Sequence, residues 1–315
     1  MSHKYKSSLW KESTFNPVGT YMPIREKIGL SLRHIEKNLW LIDTLKVLNE
    51  FFNRKLFLKG GTCVQSYLPP NMQRFSDDLD FNTEVRSPQV LKEIINEVNI
   101  KLKESGKING VYGKFIFRSI DTKIDYATFY RIVPTKLGLK LRLKELKKII
   151  QGEVIKVQIN FKHEIPAFKS IEKEYCSFIY LNPDLKEKVI FTHLSVEDLV
   201  ADKILATAVH EEIVFGRERF KDVFDIGMLL EYCDIDFNLI NKKLEYISDE
   251  SGIQVNRLID ASLNNQEKMK NKLVPSLVGV NALLCRDVRF DEDTWLNFCD
   301  KIIEKFKLIQ KIINK

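Results

Sequence analysis

The sequence is poor in the features that mark most specialised protein classes. Its five cysteines (Cys63, Cys176, Cys233, Cys285 and Cys299) are scattered, odd in number and never spaced as Cys-x-x-Cys. That pattern argues against a disulfide framework and a structural zinc site, and leaves small buried thiols in a reducing compartment. The five histidines are equally dispersed. His210-Glu211-Glu212 opens like a zinc-protease helix, but the position four residues after His210 is Val214, which cannot be a second ligand. No run approaches the roughly 20 apolar residues needed to span a bilayer. The first fifteen residues, MSHKYKSSLWKESTF, lack the apolar core of a signal peptide. The expectation is a cytoplasmic protein without a membrane partner. Internal repeats and low-complexity segments are missing too.

What is present is an ordinary globular composition. Hydrophobic residues make up 44% and charged residues 30% of the chain, which leaves no case for wholesale disorder. At 315 residues, two domains are the natural division. The net charge of +7 favours polyanionic partners such as nucleotides or RNA without proving either.

The chain is organised around 56–82, LFLKGGTCVQSYLPPNMQRFSDDLDFN. An apolar run ends in Lys59 and the pair Gly60-Gly61, and Asp78 and Asp80 follow, bracketing Leu79 with Phe81 behind. Side chains alternate along a strand, so the two acids share one face while Leu79 and Phe81 bury on the other. Carboxylates about 7 Å apart repel, and a cation between them relieves the repulsion. Hard oxygen donors without nearby His or Cys suit Mg²⁺, which completes its shell with water and substrate phosphate. The diglycine permits close backbone approach to an anion, and Thr62 to Leu68 reads as a short helix facing that anion.

The N-terminal arm is assigned to 1–22, with one or two helices following to Phe52. Ser87-Pro88 opens a helix, and strands follow at 114–120, 125–133 and 154–161. In the last, VIKVQINF, Ile155, Val157, Ile159 and Phe161 alternate with Lys156, Gln158 and Asn160. The basic segment 134–152 reads either as a solvated helix face, the slightly favoured view, or as a contact surface for nucleic acid or a partner protein. From Leu194 onward nearly everything is helical, starting with a Ser195/Asp198 cap. The fold class is therefore α+β: an α/β domain over 23–165, then an α-helical C-terminal domain over 166–315.

Two polar features stand out in the helical half. Lys203 puts an ammonium at the edge of an apolar helix face, which either snorkels to water or points into a phosphate site. Asp222 and Asp225 share a helix face with Ile226 and Leu229, so they need cationic partners, with Arg217, Arg219 and Lys221 as the nearby choices.

LKGGT followed by RFSDDLDF, then LSVEDLVADKILATA and RERFKDVFDIGMLL, resembles the motifs of the nucleotidyltransferase superfamily in the form found in AbiE-type toxins of type IV toxin–antitoxin and abortive-infection systems. The resemblance covers 56–230 and implies a nucleotidyltransferase-like mixed β-sheet with flanking helices. By motif position it implies that Asp78 and Asp80 hold Mg²⁺. Lys59, Gly60, Gly61, Thr62, Arg74 and Ser76 fall to the nucleotide, Lys203 to the triphosphate, and Asp222 or Asp225 to a late acidic role. It further implies an NTP substrate (GTP or CTP), an RNA acceptor such as tRNA, a role in phage defence and a separately encoded antitoxin. The chain departs from the family pattern at Gln158, where a third acid is usual, with Asp125 as a possible substitute. It also reads Asp202-Lys203 for Glu-Lys and Lys221-Asp222 for Arg-Asp. Two rival readings remain open: a nucleotide- or RNA-binding module that has lost catalysis, and a nucleotidyltransferase acting on a small molecule such as an antibiotic.

Overall fold

The strand alternation of the central motif sets the sheet. In a computed structural model, residues 17–52, 55–104, 113–121, 126–135, 137, 140–143, 148–161, 171–175, 189–213 and 219–313 are described. β1 (Leu56–Lys59) pairs antiparallel with β2 (Asp78–Thr83), which pairs in parallel with β7 (Glu153–Asn160). β4 (Tyr126–Val133) and β3 (Phe115–Asp121) extend that side as antiparallel neighbours. On the other side β9 (Val189–His193) runs parallel to β1, and β8 (Ile171–Tyr175) closes the edge. The order is β3-β4-β7-β2-β1-β9-β8. In β2, Leu79, Phe81 and Thr83 are buried while Asp78, Asp80 and Asn82 are partly open, as the alternation predicts. In β7, Ile155, Val157 and Ile159 are likewise fully buried.

Two helices, α1 (Pro17–Ile28) and α2 (Leu32–Phe52), precede the sheet, and α2 lies against β1, β7 and β9. α1 takes up part of the span assigned to the arm, and its Tyr21 is fully buried. α3 (Gly60–Gln65) follows β1 without a loop, and α4 (Pro88–Glu104) starts at the predicted Ser-Pro signal. α4 buries Leu91, Ile95, Val98 and Leu102 at the three-and-four spacing of an amphipathic helix. Among the described residues of the basic segment 134–152, β5 (Lys140–Leu143) pairs antiparallel with β6 (Lys148–Gln151), and none lies in a helix. KLRL alternates with the period of a strand, which the lysine density obscured. β8 and β9 fall within 166–315, so the span assigned to the helical domain also supplies two strands to the main sheet.

β9 leads through Leu194 and Ser195 into α5 (Val196–Ile213). The Leu194 N–H donates to the Leu58 carbonyl at 3.0 Å, carrying the β1–β9 pairing to the foot of that helix. The Ser195 cap forms as expected, with the Asp198 N–H donating to its Oγ at 3.2 Å. The remaining helices are α6 (Phe220–Tyr232), α7 (Phe237–Ser251), α8 (Val255–Asn271), α9 (Leu273–Asn281) and α10 (Glu292–Ile313). α10 buries Trp295, Cys299, Ile302, Phe306 and Ile309 along one stripe. No helix among the described residues is long and apolar enough to cross a membrane.

Candidate active site

Cross-strand pairing assembles the floor of the site. Lys59 on β1 sits opposite Asp80 on β2, and Asp80 in turn opposite Gln158 on β7. Direct cross-strand partners present their side chains on one face. One step along, Asp78 is opposite Lys156, whose ammonium lies 3.5 Å from the Asp78 carboxylate. A cavity of about 760 Å³ opens over this row, lined on the sheet side by Lys59, Asp78, Asp80, Tyr126 and Gln158, and on the helical side by Asp202, Lys203, Arg219, Lys221 and Asp222. Gly60, Gly61, Arg74, Ser76 and Asp77 form its end.

The glycine pair is required by the protein's own side chains. Gly60 has φ +70°, and a Cβ there would lie 2.7 Å from the Asp80 Oδ2. A Cβ on Gly61 would come within 2.5 Å of the Arg74 Nη2 and 3.0 Å of the Ser76 Oγ. Any larger residue would push the acid or the guanidinium aside. Thr62 is buried and does not line the cavity. Its hydroxyl donates to the Asp78 carbonyl at 2.5 Å, pinning α3 to the start of β2, so it supports the site without facing a nucleotide.

The helical wall is an ion network. Lys203, only 4% exposed, places its ammonium 2.9 Å from Asp222 and 2.6 Å from Asp225. Asp225 is wholly buried and accepts two further hydrogen bonds from Arg74, from Nε at 2.7 Å and Nη2 at 2.6 Å. Arg219 pairs with Asp222. Three cations therefore meet two carboxylates, leaving one positive charge in excess at the cavity wall. Burial opposes the charged lysine, but the two carboxylates outweigh it and hold the Lys203 pKa above its ordinary value. Burial likewise works against ionised Asp222, yet Lys203 and Arg219 prevail and draw its pKa down to about 2.

The floor behaves in the opposite way. Burial raises the Asp80 pKa to about 6, with Asp78 and Asp202 adding repulsion and Lys59 opposing it. Asp78 is raised as well, by burial and by neighbouring Asp77, against the pull of Lys156. These two carboxylates are under-compensated, while those of the wall are saturated. The floor calls for a cation and the wall for an anion.

Most residues picked out in the sequence meet here: Asp78, Asp80, Lys59, Gly60, Gly61, Arg74, Ser76, Lys203 and Asp222 all line the cavity. Asp225 stands behind the wall and acts through Lys203 and Arg74. Of the nearby cations, Arg219 does pair with Asp222, whereas Asp225 pairs with Lys203 and the distant Arg74. Asp125 and Arg217 lie outside the described residues. Sequence reasoning missed Tyr126 as a lining residue on the sheet side and Asp202 as an acid of the cavity. The Asp-Lys dipeptide was a usable signal for the latter, since consecutive helical residues point about 100° apart and can serve two neighbours.

A mixed sheet of this order, completed by strands and helices returning from the C-terminal half, has the nucleotidyltransferase fold. The family model of the nucleotidyl transferase AbiEii toxin, type IV toxin–antitoxin system, matches residues 45–303, and the chain belongs to that family. Membership implies a separately encoded antitoxin. Among solved structures, JHP933 from Helicobacter pylori aligns with a TM-score of 0.50 and 16% identity over 90% of this chain and 95% of its own. A second H. pylori protein, described as a candidate nucleotidyltransferase, gives 0.50 and 17% over 90% and 98%. MenT4, a nucleotidyltransferase toxin from Mycobacterium tuberculosis, gives 0.48 and 14% over 91% and 89%. At such identities the likeness to the two H. pylori structures speaks for the fold alone. No curated protein matches the chain.

Proposed function

We propose that the cavity binds a nucleoside triphosphate with Mg²⁺ and passes a nucleotidyl group to an RNA acceptor, tRNA being the first to test, as the toxic activity of a phage-defence pair. One observation supports this above all: an electron-rich floor, with the Asp80 pKa raised to about 6, faces a wall of excess positive charge across a single cavity. That polarity suits a metal below and phosphates above.

The donor set fits Mg²⁺. Asp78 and Asp80 are hard oxygen donors on one strand face, no His or Cys among the described residues lines the cavity, and two carboxylates are what such an ion commonly takes from protein. When bound, the ion would neutralise charge on the phosphates and polarise the group being transferred. Lys203, held between Asp222 and Asp225, offers an ammonium whose direction is set by two carboxylates, so little reorganisation attends phosphate binding. Arg219 and Lys221 add charge at the rim. Arg74 spends Nε and Nη2 on Asp225 and Nη1 on the Phe75 carbonyl, so its main task is positioning Asp225 rather than gripping phosphate. GTP and CTP are the nucleotides to try first.

Incubating the protein with labelled NTPs and total tRNA tests the reading. Label should pass to RNA with the native chain and fail with Asp78→Asn at matched melting temperature. Nucleotide binding without transfer would favour a binding module instead, for which neutral Gln158 beside Asp80 is the specific support.

A further inference from the structure

An acceptor hydroxyl must lose its proton as it attacks, and the cavity offers few acids for the task. Asp78 and Asp80 are committed to the cation under the reading above, on which this inference rests. Asp222 is locked between Lys203 and Arg219, with its pKa drawn down to about 2 against the effect of burial. Asp77 lies beside Lys37, 3.5 Å away, at the far end from the Asp80 row. At the strand position next to Asp80 stands Gln158, an amide that cannot accept a proton usefully.

Among the described residues, Asp202 is the acid left over. It projects from α5 one residue before Lys203, and the helical rotation turns it toward the sheet while Lys203 faces α6. Its side chain is 34% exposed, and its only ion pair among the described residues is a long one, 3.4 Å from the Lys59 ammonium. Lys59 also sits over the Tyr126 ring, 5.3 Å from its centroid, so Asp202, Lys59 and Tyr126 form one edge of the cavity with Asp80 beside them. Asp202 therefore stands on the cavity edge near Asp80, is partly open to solvent, and holds a single long ion pair among the described residues.

We propose that Asp202 is the catalytic base: its carboxylate takes the proton of the acceptor hydroxyl. In the step, the acceptor oxygen forms a bond to the α-phosphorus and its proton passes to Asp202. The bond from that phosphorus to the α–β bridging oxygen breaks, and pyrophosphate leaves with the electron pair. Lys59 keeps Asp202 aimed along the floor, and Gln158 marks the side of Asp80 that this chain does not use for the base.

Three readouts test this on the full chain. Asp202→Asn should lower kcat by about 100-fold or more, the usual scale of a lost general base. Its affinity for a nonhydrolysable NTP, by titration calorimetry, should stay within twofold of the native chain, and its melting temperature should be unchanged. Adding Gln158→Glu to Asp202→Asn, which returns a carboxylate to the other flank of Asp80, should recover at least tenfold. Native-like turnover in Asp202→Asn overturns the assignment and leaves the nucleotidyltransferase reading intact. Loss of NTP affinity in step with turnover reduces Asp202 to a neutraliser of Lys59 and also overturns it. If the native chain labels no acceptor, both the reading and this inference fall.

Discussion

Replacing Asp80 with Asn should make the metal-free protein more stable while destroying its activity, a sign that a structural carboxylate would not show. The Asp80 carboxyl moves from 3.8 to about 6 on folding, chiefly through burial. That displacement corresponds to about 3 kcal/mol at 1.36 kcal/mol per pKa unit, and partial exposure of the side chain trims it to about 2 kcal/mol. A carboxyl raised by folding costs stability wherever it is ionised. The cost is complete above pH 6, shrinks between 6 and 3.8, where the folded state binds a proton the unfolded state lacks, and is gone below 3.8, where both states are protonated. In EDTA at pH 7.5, Asp80→Asn should melt about 4 °C above the native chain, taking roughly 2 °C per kcal/mol for a chain of this size. The gap should narrow by about half at pH 5. Scanning fluorimetry across pH 4 to 8 measures both effects. A lower melting temperature for Asp80→Asn at pH 7.5, or a gap that ignores pH, would refute the claim that the floor is under-compensated. Saturating Mg²⁺ should reverse the order, since a ligand at a hundred times its Kd adds about 2.7 kcal/mol to the native chain alone.

Other substitutions should behave differently. Lys203→Met removes one of two cations from fully buried Asp225 and should destabilise the protein by about 3 kcal/mol, with at least tenfold weaker NTP binding by calorimetry; unchanged affinity would leave the lysine a purely structural role. Gly61→Ala drives a Cβ into the guanidinium of Arg74, so it should cost about 1–3 kcal/mol in chemical denaturation and weaken NTP binding through Lys203; an unaltered midpoint would show that the arginine has room to move. Asp225→Asn leaves Arg74 without its bidentate partner and should lower stability by about 3–5 kcal/mol, more than Asp222→Asn, whose side chain is partly exposed. Equal losses for the two would contradict the division between wall and support.

How much of this could be read from the sequence depended on range. The Asp-x-Asp strand, the alternation of β7 and the long amphipathic helices rest on periodicity within a few residues, and they stand where the pattern put them. The diglycine was legible as a place of close approach, although what approaches first is Asp80 and Arg74 rather than a phosphate. The pairing of Arg74 with Asp225 spans 151 residues, and no local pattern could select it over Arg219 or Lys221. The basic stretch misled because charge density was weighed above the period of KLRL. β8 and β9 are short, and β9 runs directly into a strong helical signal, so their membership of the sheet was hidden.

The route from β1 to β9 to Lys203 has a mechanical consequence. The helix that presents the ammonium hangs from a strand hydrogen-bonded to the very strand that ends at the glycine pair, with two residues between. Both jaws are thus mounted on a common beam, and under the proposed function the gap that would take a triphosphate is set by the pairing of neighbouring strands. On that reading, selectivity for the incoming nucleotide would come from the shape of the slot, and turnover from how readily spent pyrophosphate slides out of it.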